Sequence, residues 1–179
     1  YQAVNHIRPD FRPAWTGLLT AYNSLKSYQK ALDLAEFLVK ANPGDLEVTA
    51  SYAIALDGVE RKEEAIKQYK AIITKNPGIA LIWGNMGWSQ YGAGKYADAI
   101  ISSRRAVELD PKLAYVRFNI GLLYAVQGDM AMAIKEYNEA IKVAQPADYK
   151  GAVDDIRDAL KKQSDSSALK EALKLLKNR

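Results

Sequence analysis

The sequence predicts an all-α protein built as a stack of helix pairs, and three observations predict it. Four of the six prolines, Pro9, Pro43, Pro77 and Pro111, stand 34 residues apart, a fixed period that fits two packed helices and their turns. Four alanines, Ala31, Ala65, Ala99 and Ala133, keep the same spacing. Between these markers apolar residues recur at i, i+3, i+4 and i+7, the spacing of a helix face, and no stretch alternates as a strand does.

Taking each proline as the thirty-second residue of a unit gives units 12–45, 46–79, 80–113 and 114–147. Each holds two apolar stripes parted by turn formers such as Gly58, Gly94 and Gly128, hence two helices per unit. In the third unit Trp83, Met86, Gly87 and Gln90 mark one face of the first helix, and Ala99, Ser103 and Ala106 one face of the second. Small residues at 99 and 133 belong where the two helices come closest, since overpacking there would cost about 1–3 kcal/mol. The prolines close the second helices, lacking a donor and disfavouring helical backbone in the residue before them.

The ends depart from the period. Residues 1–11 read as the end of a truncated preceding repeat. In the fourth unit Gln145 takes the place of the proline and Pro146 follows, so the regular register stops there. Tyr149, Ala152, Val153, Ile156 and Leu160 form an apolar stripe that predicts a capping helix over 148–163. Over 164–179 an amphipathic helix is expected from about Ser166 to Lys177, with Leu169, Ala172, Leu173 and Leu176 on one side and Ser164 or Asp165 as its N-cap.

Composition narrows the function. The 179 residues include no cysteine and one histidine, His6, which removes disulfides, thiolate metal sites and cysteine nucleophiles, and leaves a zinc site or a serine triad short of partners. No metal site, cofactor or catalytic residue is expected, and the chain is read as non-enzymatic. The net charge of +4 is spread thinly: residues 1–79 carry 10 basic and 9 acidic side chains, 80–147 carry 7 and 6, and 148–179 carry 8 and 6. Nucleic-acid binding needs basic groups gathered on one face, so this balance argues against it. No apolar run is long enough for a membrane span, so a soluble chain is expected, with its compartment left open and the cytoplasm favoured. Gly92-Ala-Gly94-Lys-Tyr-Ala97 matches a dinucleotide fingerprint in spelling, but a helix precedes it where a strand is required, so it reads as an inter-helix turn.

Trp15, Leu18, Tyr22, Ala31 and Pro43 in the first unit resemble the pattern of the tetratricopeptide repeat family. So do Tyr52, Ala65, Tyr69 and Pro77 in the second, Trp83, Gly87, Ala99, Ala106 and Pro111 in the third, and Gly121, Tyr124, Ala133, Tyr137 and Ala140 in the fourth. The resemblance implies a right-handed superhelix, an α-solenoid of antiparallel helix pairs, whose first helices line a concave groove. It also implies a scaffold that binds a peptide or helix segment of a partner protein in that groove.

The resemblance places the second, fifth, sixth, ninth, twelfth and thirteenth residues of each unit in the groove. In the first two units these are mostly small or polar, including Thr16, Thr20, Asn23, Ser51 and Asp57. In the last two they include Leu81, Asn85, Trp88 and Tyr91, then Tyr115, Phe118, Asn119 and Leu122. The aromatics are rigid anchors of large area, and the two asparagines offer donor and acceptor together to a partner backbone. Asn85, Trp88, Tyr91, Tyr115, Phe118, Asn119 and Leu122 are therefore the candidate site, and exchanging Trp88 and Phe118 for alanine is expected to abolish binding with helicity intact. The same patch could instead be covered by a second copy in a homo-oligomer, or by the C-terminal helix folding back. A further alternative is an accessory domain of a larger protein. The Lys, Asn and Arg clamp by which some members hold a chaperone's C-terminal carboxylate is absent, its positions falling on Thr16 and Thr20 or Ala50 and Ile54, and on Asn85 or Asn119. The pentatricopeptide relatives that read RNA have a 35-residue period, which this chain lacks.

Overall fold

A computed structural model describes residues 12–177; the expected end of a preceding repeat, with His6, lies outside them. Among the described residues all regular structure is helical: α1 (Arg12–Ser24), α2 (Tyr28–Ala41), α3 (Leu46–Gly58), α4 (Lys62–Lys75), α5 (Ala80–Gly92), α6 (Tyr96–Leu109), α7 (Ala114–Val126), α8 (Met130–Ile141), α9 (Pro146–Lys162) and α10 (Ser167–Lys177). Each odd helix from α1 to α7 starts 34 residues after the last, and so does each even helix from α2 to α8. Within each of the two compact units of the described chain, adjacent helices pack in pairs, in the manner of a helical solenoid. None of these helices is long and apolar enough to cross a membrane.

The prolines act through the residue before them. Asn42, Asn76 and Asp110 precede Pro43, Pro77 and Pro111 and have φ/ψ of −132/73, −137/74 and −139/98. Their backbone has left the helical region, as a following pyrrolidine ring demands, so α2, α4 and α6 end one residue earlier. Pro146 has the opposite role. Standing first in α9, it needs no hydrogen bond to an earlier carbonyl and presets a helical φ, while Asp148 accepts a hydrogen bond from the Gln145 N–H at 2.8 Å. The last helix is capped by Ser166, whose hydroxyl accepts from the Leu169 N–H at 3.2 Å, rather than by Ser164 or Asp165.

The four turns within the pairs α1–α2, α3–α4, α5–α6 and α7–α8 each hold one left-handed residue, Lys26 (φ 55), Glu60 (φ 65), Gly94 (φ 74) and Gly128 (φ 83). Glycine adopts this backbone freely, whereas another residue is strained by about 1–2 kcal/mol. Lys26→Gly and Glu60→Gly are each expected to stabilise the first two helix pairs by about 1 kcal/mol, the strain relieved less glycine's extra chain entropy. Urea unfolding of each variant against the wild type checks this, and a lower midpoint would refute it. Gly58, expected as a turn former, is instead the last residue of α3, and a Cβ there would lie 2.2 Å from Cγ of the Tyr28 ring, which leaves room for glycine alone.

The described chain divides into two compact units at Pro77–Gly78. In the first, α1 packs on α2 and α3, α2 on α3, and α3 on α4. Its buried residues include Leu19, Ala35, Leu38 and Val48, with Trp15, Phe37 and Tyr52 against them. Asn23, expected to face the groove, donates from Nδ2 to the Ser51 carbonyl at 3.1 Å and so ties α1 to α3.

In the second unit α5 packs on α6, α6 on α7, α7 on α8, and α5 on α7. The pattern then changes, for α8 meets α10, and α9 lies on α7 and α10. Between α6, α7 and α8 the buried Glu136 carboxylate faces Arg104 at 3.2 Å and Arg117 at 3.8 Å, and Arg104 also donates to the Tyr124 hydroxyl at 3.0 Å. A carboxylate left unpaired there would be costly.

Candidate functional site

All seven candidate residues lie on α5 and α7, the two first helices of the second unit, which pack side by side. Helical spacing brings Asn85 and Trp88 to one face of α5, with Tyr91 one turn on, and Tyr115, Phe118, Asn119 and Leu122 to one face of α7. Gly84 lets the helices approach: a Cβ there would sit 2.9 Å from Cγ2 of Val116 and 3.4 Å from the Tyr115 hydroxyl. Gly87 does the same for α6, since its Cβ would lie 2.4 Å from the Ser103 hydroxyl and 3.1 Å from the Ala99 carbonyl oxygen.

The seven fall into two groups. Phe118 and Leu122 are each 2% exposed and belong to a core cluster with Ala125 of α7, Tyr137 of α8, Ala152, Ile156 and Ala159 of α9, and Leu169, Ala172 and Leu176 of α10. The Phe118 ring centroid lies 5.6 Å from that of Tyr149 at the start of α9 and 6.2 Å from that of Tyr137. Of the three covers open to this patch, the C-terminal helices are the one present over these two residues. Phe118 is thus a core residue, and exchanging it for alanine is expected to cost stability as well as any contact with a partner.

Trp88 and Tyr91 are partly buried and pack against the same cluster from the α5 side, their ring centroids 5.1 Å apart. Asn85, Tyr115 and Asn119 are partly exposed, and Leu81, one turn before Asn85, is 53% exposed. Among the described residues the side-chain amides of Asn85 and Asn119 have no hydrogen-bond partner. Two amides without a partner and a row of half-open apolar side chains make a strip that can hold a polypeptide backbone between apolar contacts.

The phenols record the dry surroundings. Burial pushes Tyr91 up to about 12, with Tyr96, Asp155 and Asp158 adding to the rise. Tyr115 is raised by burial and then by Asp110 and Asp148, and Tyr137 is raised further, by burial and then by Tyr91 and Asp155. All three stay neutral near pH 7 and act as apolar surfaces with a polar tip. The Tyr137 hydroxyl is buried and has no hydrogen-bond partner within the described chain. A shallow cleft beside Tyr91, lined by Gly92, Gly94, Tyr96, Val126, Ala159, Lys162 and Gln163, marks where the end of α9 reaches the α5–α6 turn. Among the described residues no group of three His, Asp or Glu could hold a metal ion.

Sequence reasoning left the cover open among a partner, a second copy and the C-terminal helix, and did not single out Tyr149, Ile156 and Ala159 of α9 as the residues that complete this face. The apolar stripe of α9 was visible, but a stripe tells which side of a helix is covered and not what covers it.

Comparison with known proteins agrees with this architecture. The model of the tetratricopeptide repeat family matches residues 53–114 and 85–149. Protein FlbA of Caulobacter vibrioides is 25% identical over 142 residues, covering 75% of this chain and 24% of FlbA, so the chain spans about a quarter of that relative. Among solved structures, MamA of Desulfovibrio magneticus RS-1 superposes with a TM-score of 0.67 at 18% identity, over 76% of this chain and 75% of that one. The thermophilic repeat protein TTC0263 of Thermus thermophilus gives 0.68 at 18% identity, over 93% and 99%; both likenesses concern the fold. With the family model covering residues 53–149, more than half of the sequence, the chain belongs to the tetratricopeptide repeat family.

Proposed function

We propose that this protein–protein interaction scaffold holds a segment of a partner protein along the strip formed by Leu81, Asn85, Trp88, Tyr115 and Asn119. The observation that supports it is the pair of asparagines at equivalent places on adjacent first helices, their amides unused within the described chain, beside partly exposed aromatics. Such amides bridge to a backbone N–H and C=O, which suits a partner held through its main chain, while Trp88, Tyr115 and Leu81 take its apolar side chains. Tyr91 lies at the far rim, and Phe118 and Leu122 are the floor beneath α9. The reading is non-catalytic and requires no cofactor.

The test is affinity capture with the wild type and with Asn85→Ala/Asn119→Ala, followed by titration of whatever the wild type retains. Because neither amide is bonded within the described chain, the double variant should keep its stability within about 0.5 kcal/mol, and its affinity for the retained partner should drop at least tenfold. Equal affinity of both forms for that partner would sink the assignment.

A further inference from the structure

The strip just described borders a face that is already occupied. Tyr149, Ala152, Ile156 and Ala159 of α9 succeed one another at i, i+3, i+7 and i+10, the spacing of one helix face. The last three are buried in the cluster that holds Phe118, Leu122 and Ala125, with Tyr149 packed on it and Trp88 and Tyr91 flanking. The Tyr149 ring lies tilted against that of Phe118, toward the start of α7, and Ala159 lines the cleft with Val126, at its end. An amphipathic helix with one aromatic followed by small and branched residues is therefore a shape this face accepts.

Three observations set α9 apart from the repeat it covers. It does not continue the stacking, since α8 packs on α10. It is a helix of 17 residues with its own end signals, opened by Pro146 and the Asp148 cap and braced on its outer side by Asp154–Arg157 at 2.8 Å and Asp158–Lys161 at 2.6 Å. Its buried contacts are mostly small: of the buried apolar residues that α9 and α10 bring, Ala152, Ile156, Ala159, Ala168, Leu169, Ala172 and Leu176, four are alanines, which bury far less area than a leucine does, and the larger Tyr149, Val153, Leu160, Leu173 and Leu175 pack on the cluster only partly buried. Beneath the covered face the Tyr137 hydroxyl goes without a partner, a polar group whose burial works against closure.

We propose that α9 and α10 form a detachable strap that occupies the first-helix face of residues 78–126 in place of a partner, so that this face takes an amphipathic helix of α9's pattern when the strap lifts. The proposal rests on the scaffold reading above for its purpose, but its test needs no partner. The probe is a fluorescently labelled synthetic peptide of residues 146–177, titrated into the wild-type chain and into Leu169→Asp, which puts a charge into the α10 contact and keeps every residue of α5 and α7.

The peptide should bind the variant at least tenfold more tightly than the wild type, and a Tyr149→Ala peptide, lacking the ring that meets Phe118, should bind the variant more weakly. Equal binding to wild type and variant, or no binding to a variant that retains α5–α8, would overturn the strap. Should Leu169→Asp unfold altogether, hydrogen exchange of the wild-type chain decides. Amides of α9 and α10 exchanging together, at least tenfold faster than those of α7, support the strap, and protection equal to that of α7 refutes it. A wild type that is dimeric by light scattering, with the peptide displacing one copy from the other, would make the occupant a second chain and also overturn it. Retained partner loss in the asparagine variant with failure here would remove the strap alone, whereas peptide binding without any asparagine effect would remove the strip alone.

Discussion

Phe118→Ala is expected to remove about 3–5 kcal/mol from the stability of the second unit, the usual cost of deleting a large buried aromatic. Phe118 is 2% exposed and packs with Tyr137 on one side and Tyr149 on the other, at 6.2 and 5.6 Å between ring centroids. Its loss leaves a cavity that two rings, one of them on a helix outside the repeat stacking, would have to close. Urea unfolding followed by circular dichroism measures the change; a cost below about 1 kcal/mol would mean that the site collapses or that Phe118 is not core. The Asn85→Ala/Asn119→Ala variant, in contrast, is the clean probe of binding.

Gly121→Val is expected to cost the second unit about 3 kcal/mol, at the upper end for an overpacked core. A Cβ at 121 would lie 2.4 Å from Cε1 and 2.6 Å from Cδ1 of Tyr137, and that ring is fully buried, so it has nowhere to swing. Two companions isolate the cause. Gly121→Ala combined with Tyr137→Leu should be less destabilised than the sum of the single variants, because removal of the ring relieves the clash; strict additivity would refute the contact. Gly151→Ala, where the added methyl meets nothing within 4 Å on the exposed side of α9, should instead stabilise by roughly 1 kcal/mol, as alanine does over glycine in a helix.

Much of the fold was legible because one physical requirement recurs every 34 residues. Ala31, Ala65, Ala99 and Ala133 are all fully buried, where a larger side chain would overpack the interior, so a small residue is demanded there and its spacing shows. The prolines report helix ends for an equally local reason. Gly58 was harder: a glycine at the end of a helical stripe resembles a turn former, and only the Tyr28 ring, brought against it by the fold, gives its reason. The left-handed Lys26 and Glu60 carry no glycine to announce them. For the site, the choice of α5 and α7 followed from the repeat frame, but the division between Phe118 and Leu122 beneath α9 and Asn85 and Asn119 outside it depends on which surface α9 selects. That choice pairs residues far apart in the chain through apolar contacts open to many partners, and periodicity does not record it.

The shared left-handed turn residue also bears on mutational tolerance. At Gly94 and Gly128 the backbone is paid for by the absence of a side chain, so nearly every substitution adds strain of about 1–2 kcal/mol. At Lys26 and Glu60 that strain is already present, and exchanging one unbranched residue for another changes little. Turns that share this left-handed residue thus differ in how freely their sequence can drift: the pair in the second unit is held to one residue type, while the pair in the first is open to many and improved only by glycine.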